Sequence, residues 1–557
     1  MEKIKEKLNN LLEQGFLISP DILEHISKEE GIVKNINNSI TTQEKPLIIS
    51  NELCKAVSNK VKLNINWVDF EKSRTFLEKG RDTKIYNTFL DILGYNTSEG
   101  QKHKVEHIIE EIKPSKEVIE IQKKEIIESQ EKETPLPGNG NSVLVLKNYT
   151  ENTKKREIQD FVSYFKVRYE GLKKILMNRP ELQTAVSINR LGNGGREKVA
   201  LIGIVADKNK TKNENLILSM EDPTGKINIL INKNKPELYS LAEDIVLDEV
   251  IGITGVINEK IIFVDNILFP DIQEIKLKKS DDEAYAIFTS DIHLGLHNFL
   301  GEDFTNFIKW LNLDYGNNEL KDLAKKVKYL FLVGDLVDGV GIYPGQEKDL
   351  VIKEIYEQYS ILAGYLNKIP KSIKIIICAG NHDALRLSEP QPVLDKKIAK
   401  PIHDMGNVTF VTNPSLVNIH ASRDFSGFNI LLYHGFSMPY YAEAVNSIRV
   451  AGGQDRADLI MKFYLQRRHL APTHSSNLYI PDPEQDPLLI DKVPDFLVTG
   501  HIHKVSTFNY KGVTCLNCSC WASKTEEQER RGINPDPSKV ILANLKTREI
   551  KILNFGK

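Results

Sequence analysis

Five short clusters of acids, imidazoles and amides recur in order along the second half of this 557-residue sequence. Each follows a run of apolar, β-branched residues that reads as a short buried strand. AYAIFTS leads to Asp291 and His293. KYLFLVG leads to Asp335, with Asp338 three residues on. IKIIICAG leads to Asn381, His382 and Asp383, FNILLY to His434, and DFLVTG to His501 and His503. Carboxylate, imidazole and carboxamide together suit a borderline divalent ion such as Mn2+, Fe2+ or Zn2+, whereas Mg2+ prefers an all-oxygen site. Two such ions, roughly 3.5–4 Å apart, need a bridging ligand, usually a carboxylate. They lower the pKa of a bound water and neutralise charge on a phosphoryl group. Taken singly, a His-x-His or a Gly-Asp is commonplace, and a buried histidine is more often a hydrogen-bonded core residue than a ligand. Five such pieces, each closing a strand, point together to metal-dependent phosphoryl chemistry.

Polar groups gathered at the carboxyl ends of strands, with helical stretches at 302–313 and 349–366 between them, imply an α/β layered fold over 281–557. Upstream, residues 150–280 read as a lead helix followed by a barrel. In the helix, Ile158, Val162, Phe165, Tyr169, Leu172 and Leu176 share one side at 155–177. Five strands then surround one helix-like stretch, PELYSLAEDIVL, with turns at 222–225 and 258–260. That is the pattern of an oligonucleotide/oligosaccharide-binding (OB) barrel. Lys and Glu dominate 95–149, so a flexible charged linker is expected there. Residues 1–94 read as a helical module. The whole is a multi-domain α+β chain.

Composition narrows the function. Hydrophobic residues make up 41% and charged residues 27%, an ordinary globular balance that excludes a fibrous or wholly disordered chain. The net charge of −2 excludes a general polyanion-coating protein, so any contact with DNA must come from local patches. No run of about 18 apolar residues suggests a membrane span. Five cysteines suit a reducing compartment, and cytoplasmic residence is expected. Cys515, Cys518 and Cys520 are read as small buried residues on a strand and the turn after it. Arg449, Arg456, Arg467 and Arg468 are either DNA contacts near the site or helix-surface charge.

The order D-x-H, G-D-x-x-D, G-N-H-D, H-G, G-H-x-H resembles the calcineurin-like metallophosphoesterase superfamily over roughly 284–557. The segments REIQDFVSYFKVRYEGLKKIL, GDLVDGVGIYPGQ and QPVLDKKIAKPIHDMGNVTFVTNPSLV, with the domain order, resemble the small subunits of archaeal D-family DNA polymerases. The resemblance implies a proofreading 3′–5′ exonuclease partnered with a large polymerising subunit, with DNA 3′ ends as substrate and a sliding clamp or other replication factors as further partners. It implies two ions, manganese first, with iron or zinc as alternatives. Asp291, His293, Asp335 and His503 would hold one; Asp335, Asn381, His434 and His501 would hold the other. His382 would stand at the scissile phosphate, oriented by Asp383, with Asp338 behind the ligands. The alternatives are a non-catalytic scaffold subunit of the polymerase and a phosphatase using the same site.

Overall fold

The computed structural model describes residues 17–18, 48–49, 143–150, 154–191, 196–525, 528–529 and 534–556. The chain divides into two units, 1–134 and 135–557. In the first, strands β1 (Leu17–Ile18) and β2 (Ile48–Ile49) pair in parallel. The expected N-terminal helices lie outside the described residues.

The second unit opens with strand β3 (Val143–Lys147). This corrects the end of the linker expected at 95–149; residues 95–142 lie outside the described residues. The strand pairs antiparallel with 416–419 of the C-terminal layers, Val145 opposite Val417 and Val143 opposite Ile419. VLVLK offers β-branched residues on alternate positions, and pairing satisfies its backbone.

Helix α1 (Ile158–Leu176) follows, opened by a capping box between Glu157 and Asp160. Its C-terminal half packs as the spacing predicts: Tyr169, Leu172 and Leu176 are buried with Leu182, Ile202 and Val250. Its first half does not. Ile158 and Val162 are exposed, while Tyr164 and Arg168 are buried. A buried carboxylate, Asp486, sets this rotation, accepting from Tyr164 Oη at 2.8 Å and Arg168 Nε at 2.8 Å.

The barrel forms as expected. Strands β4 (Glu197–Lys210), β5 (Leu216–Asp222), β6 (Gly225–Ile231), β7 (Val250–Asn258) and β8 (Ile261–Leu268) close in the order β4-β5-β6-β8-β7. Helix α2 (Pro236–Glu243) sits between the third and fourth strands. Asp222 Oδ1 accepts the amides of Thr224 and Gly225, which fixes the first turn. One side of the barrel is tied to the C-terminal layers by Asp248, Asp244 and Glu249, which meet the His474 amide, the Ser447 amide and the Arg467 guanidinium.

The C-terminal layers contain two six-stranded sheets. One joins β9 (Tyr285–Thr289), β10 (Val327–Val333), β11 (Lys374–Cys378), β12 (Val408–Phe410), β18 (Lys539–Asn544) and β19 (Ile550–Asn554), in the order β12-β11-β10-β9-β18-β19. The other joins β3 with β13 (Ser415–Ile419), β14 (Phe428–Leu432), β15 (Phe496–Thr499), β16 (Ser506–Tyr510) and β17 (Val513–Asn517), in the order β16-β17-β15-β14-β13-β3. Alternate residues face opposite sides of a strand. Ala286, Phe288, Phe331 and Ile376 of the first sheet meet Val417, Ile430, Phe496 and Leu516 of the second in one core. Tyr285, Ile287, Leu330 and Leu332 face the other way, onto helices α3 (Gly301–Leu311) and α4 (Ile355–Leu366). Leu431 and Leu497 face helix α5 (Ala457–Arg467). The result is an α/β/β/α sandwich whose central strands are buried on both faces. Cys378, Cys515, Cys518 and Cys520 are buried within it. No helix among the described residues is long and apolar enough to cross a membrane.

Candidate metal centre

The five motifs leave the carboxyl ends of β9, β10 and β11 in one sheet and β14 and β15 in the other, so facing strand ends converge. Asp291, His293 and His503 bring ligand atoms within 4.8 Å of one another, and so do Asp335, His434 and His501. Asp335 lies between the groups: its Oδ2 is 3.2 Å from His434 Nε2 and 3.8 Å from His293 Nε2. His503 Nε2 stands 3.2 Å from Asp291 Oδ1, and Asn381 Oδ1 stands 3.1 Å from His434 Nε2. All seven residues proposed from sequence as ligands therefore lie together.

The backbone is bent to bring them there. Asp291, His293, Asp335, His501 and His503 all adopt positive φ, between 48° and 70°. Each such residue costs on the order of 1–3 kcal/mol and persists only where its surroundings impose it. The motif glycines make room. A Cβ on Gly334 would collide with His434, and one on Gly380 would collide with Asp335.

The electrostatics suit cations. Burial alone would raise the Asp291 carboxyl, yet the imidazoles of His293 and His503 hold it well below the usual range. Asp335 is likewise lowered against its burial, chiefly by His434 and His382. In return, despite burial, Asp335 pushes His434 up to about 10. His503 rises to about 9 against its burial, through Cys520 and Asp291. Burial and the His434 charge drive His501 down to about 3. Ionised acids drawing protons onto a ring of imidazoles form a donor set in which divalent ions take the place of those protons. The residues fit a metal pair.

Secondary contacts fix the rings. His434 Nδ1 is 2.8 Å from the Val333 carbonyl, leaving Nε2 to face the pocket. Gln391 Nε2 donates to the Gly380 carbonyl at 2.9 Å, and its Oε1 accepts from Asn413 Nδ2 at 2.8 Å. Asn413 Oδ1 in turn accepts the His434 amide at 2.8 Å, which links the loops bearing Asn381 and His434. The Gln528 amide reaches His503 Nδ1 at 2.9 Å. These partners lie far from the ligands in sequence and carry no spacing signal that could have found them.

Two expectations are corrected. Asp383 does not orient His382. Its Oδ2 accepts the amides of Gly380 (2.9 Å) and Leu336 (3.3 Å), and its Oδ1 accepts from Tyr359 Oη at 3.0 Å. It clamps the backbone of two ligand loops, and burial with the Asp335 charge pushes its carboxyl up to about 6. Asp338 takes the orienting place: its Oδ1 is 3.0 Å from His293 Nδ1 and 3.2 Å from His382 Nδ1. Arg467 and Arg468 are buried, neither on a helix surface nor open to a ligand. Arg467 pairs with Glu249 at 3.3 Å and lies over the Phe269 and Phe463 rings. Arg468 Nη2 donates to the Asp491 carbonyl at 2.7 Å. Arg467 thus ties the barrel to the sandwich through Glu249, while Arg468 holds the carbonyls of Ile490 and Asp491 within the sandwich. Arg456 is paired with Asp458 at 2.7 Å, and Arg449, exposed, reaches Asn446.

Facing strand ends that gather two acid–imidazole groups around a shared aspartate define a calcineurin-like phosphoesterase, and the family profile of that description matches residues 286–505. A DNA polymerase II small subunit of Methanothermobacter thermautotrophicus is 39% identical over 400 residues, covering 72% of this chain and 80% of that one. Those of Methanocaldococcus jannaschii and Archaeoglobus fulgidus are 40% and 34% identical, over 70% and 72% of this chain and 64% and 78% of theirs. The chain belongs to the family of archaeal DNA polymerase II small subunits. The resemblance read from the sequence holds.

Proposed function

We propose that the chain is the proofreading subunit of a two-subunit replicative polymerase, hydrolysing DNA phosphodiesters from the 3′ end while a large subunit polymerises. One observation carries the reading: Asp335 is common to two ligand groups, one with His293 and His382 and one with His434 and His501, and the His382 side chain is 18% exposed against 12% or less for Asp291, His293, Asp335, His434 and His503. Asp291, His293, Asp335 and His503 would hold one ion, and Asp335, Asn381, His434 and His501 the other, manganese being the first expectation. A bound metal pair supplies Lewis acidity toward a phosphodiester. The chain's own residues do the rest. Asp338 holds His382 Nδ1 through its carboxylate and through its carbonyl at 3.0 Å, leaving Nε2 for the substrate. Burial would lower the His382 pKa, but Asp335 and Asp338 raise it. A protonated imidazole there would supply the proton to the leaving 3′-oxygen. The relatives' name supports a large subunit as partner; residence in the nucleoid and contact with a sliding clamp belong to the proposal alone.

The test is digestion of end-labelled single-stranded DNA by the full chain with Mn2+. Nucleotides are expected to leave from the 3′ end. His382→Ala is expected to lower kcat by about 10²–10⁴-fold with metal content unchanged. Asp335→Ala should lose at least one ion by metal analysis. Digestion by His382→Ala at the wild-type rate, or from the 5′ end, would overturn the assignment.

A further inference from the structure

Beside His382 the chain builds a feature that metal binding does not explain. After Asp338 the loop runs Gly-Val-Gly-Ile-Tyr-Pro-Gly-Gln, from 339 to 346, without a charged residue. Its tip is open, since a Cβ on Gly341 or on Gly345 would meet nothing within 4 Å, while its base is packed, since one on Gly339 would collide with the His382 carbonyl. Val340 is 49% exposed and Tyr343 is 36% exposed. The Tyr343 ring lies edge-on to the His382 imidazole, centroids 6.3 Å apart, and its hydroxyl donates to Asp349 Oδ2 at 2.9 Å, which fixes the ring at both ends. Two buried amide side chains hold the loop from below. Gln346 Oε1 accepts the Ile342 amide at 2.9 Å while its Nε2 donates to Asp338 Oδ2 at 2.6 Å. Gln358 accepts the Gly339 amide and donates to the Gly339 carbonyl. Asp338 therefore holds the His382 imidazole directly and the loop bearing Tyr343 through Gln346.

Resting on the proposed function, we infer that Tyr343 is the platform on which the base of the terminal nucleotide stacks when its phosphodiester lies at His382. A loop meant for phosphates would carry Lys or Arg; this one offers an aromatic face and an aliphatic neighbour, which suit the π-face of any base. Its anchored ring loses little freedom on binding. A base resting there has left its neighbour in the duplex, so unpaired ends enter at lower cost than paired ones, irrespective of sequence.

The experiment pairs a residue change with a substrate change. Tyr343→Ala, Tyr343→Phe and wild type, as full chains with Mn2+, are given single-stranded oligonucleotides ending in a normal or an abasic 3′ nucleotide. Stacking predicts that Tyr343→Ala raises KM for the normal end by about tenfold or more. It also predicts that the abasic end costs the wild type a similar factor, that the two losses do not add, and that Tyr343→Phe retains most of the wild-type behaviour. Equal loss on both ends would mark a merely structural tyrosine and overturn the platform, as would no loss on either. If the wild type digests no DNA, the proposed function fails by itself. Affinity for the two oligonucleotides, by fluorescence anisotropy without metal, then decides the platform: a normal end bound more tightly by wild type than by Tyr343→Ala supports it, and equal affinity ends it.

Discussion

Two aspartates that look interchangeable in the sequence differ in what their oxygens touch. Asp338 faces the Nδ1 atoms of His293 and His382, and its other oxygen is taken by Gln346. Asp338→Asn keeps the shape but removes the charged acceptor. It is expected to lower kcat by about 10–100-fold with little change in thermal midpoint, measured by nuclease assay and melting in parallel. Asp383 accepts two backbone amides and a tyrosine hydroxyl in a fully buried place. Asp383→Asn turns an amide donor toward at least one of those donors and should destabilise the chain by about 2 kcal/mol, seen by chemical denaturation. At this scale the sequence revealed residue types and their order, because ligand chemistry restricts both. It hid the roles of Asp338 and Asp383, because one Asp sits three residues beyond Asp335 and the other follows its histidine directly, and neither spacing shows which oxygen faces which ring.

Among the elements, α1 shows why periodicity read its second half and missed its first. Tyr169, Leu172 and Leu176 bury an apolar stripe, but one turn earlier Arg168 and Tyr164 turn inward to Asp486. His469 joins them: its Nε2 is 2.8 Å from Asp486 Oδ2, while its Nδ1 accepts the Ala471 amide at 2.9 Å. Both ring nitrogens are thus occupied by a neutral imidazole. Burial, and then the Arg168 charge, lower its pKa to about 4 from 6.5, against the pull of Asp486. The unfolded chain takes up this proton as pH falls below about 6.5, and the folded chain refuses it until about 4, so this group makes stability fall with pH across that window. Denaturation midpoints of wild type and His469→Gln, compared at pH 7.5 and 5, should show a shallower decline in the variant. Asp486→Ala strands the buried Arg168 guanidinium and is expected to cost about 3–5 kcal/mol at neutral pH. A similar loss of stability in Arg168→Met would show the network acting as a unit; no loss in either would show that α1 is held by its apolar half alone.

Over the whole molecule, the succession of lead helix, five-stranded barrel and layered α/β fold was legible because each changes the period of its apolar residues. Where one unit ends and the next begins was not, since strand pairing across hundreds of residues leaves no local mark. Residues 143–149 read as the end of a charged tether, yet β3 completes the second sheet beyond β13, and the contacts continue past it. The Tyr149 amide donates to Thr412 Oγ1 at 3.1 Å, the Thr412 amide donates to Asn148 Oδ1 at 2.7 Å, and Tyr149 Oη donates to Asp482 at 2.9 Å. A chain starting at residue 154 would leave the β13 edge unpaired, with the backbone of Val417 and Ile419 open to another strand. One starting at residue 135 would keep that edge covered. The shorter fragment is expected to melt several degrees lower and to aggregate on concentration, whereas the longer should remain dispersed and digest DNA at the rate of the full chain. Light scattering and melting of the two fragments side by side make the comparison. Equal stability would mean that β3 merely lies along the sheet; a deficit confined to the shorter fragment would make the strand before the barrel part of the catalytic fold.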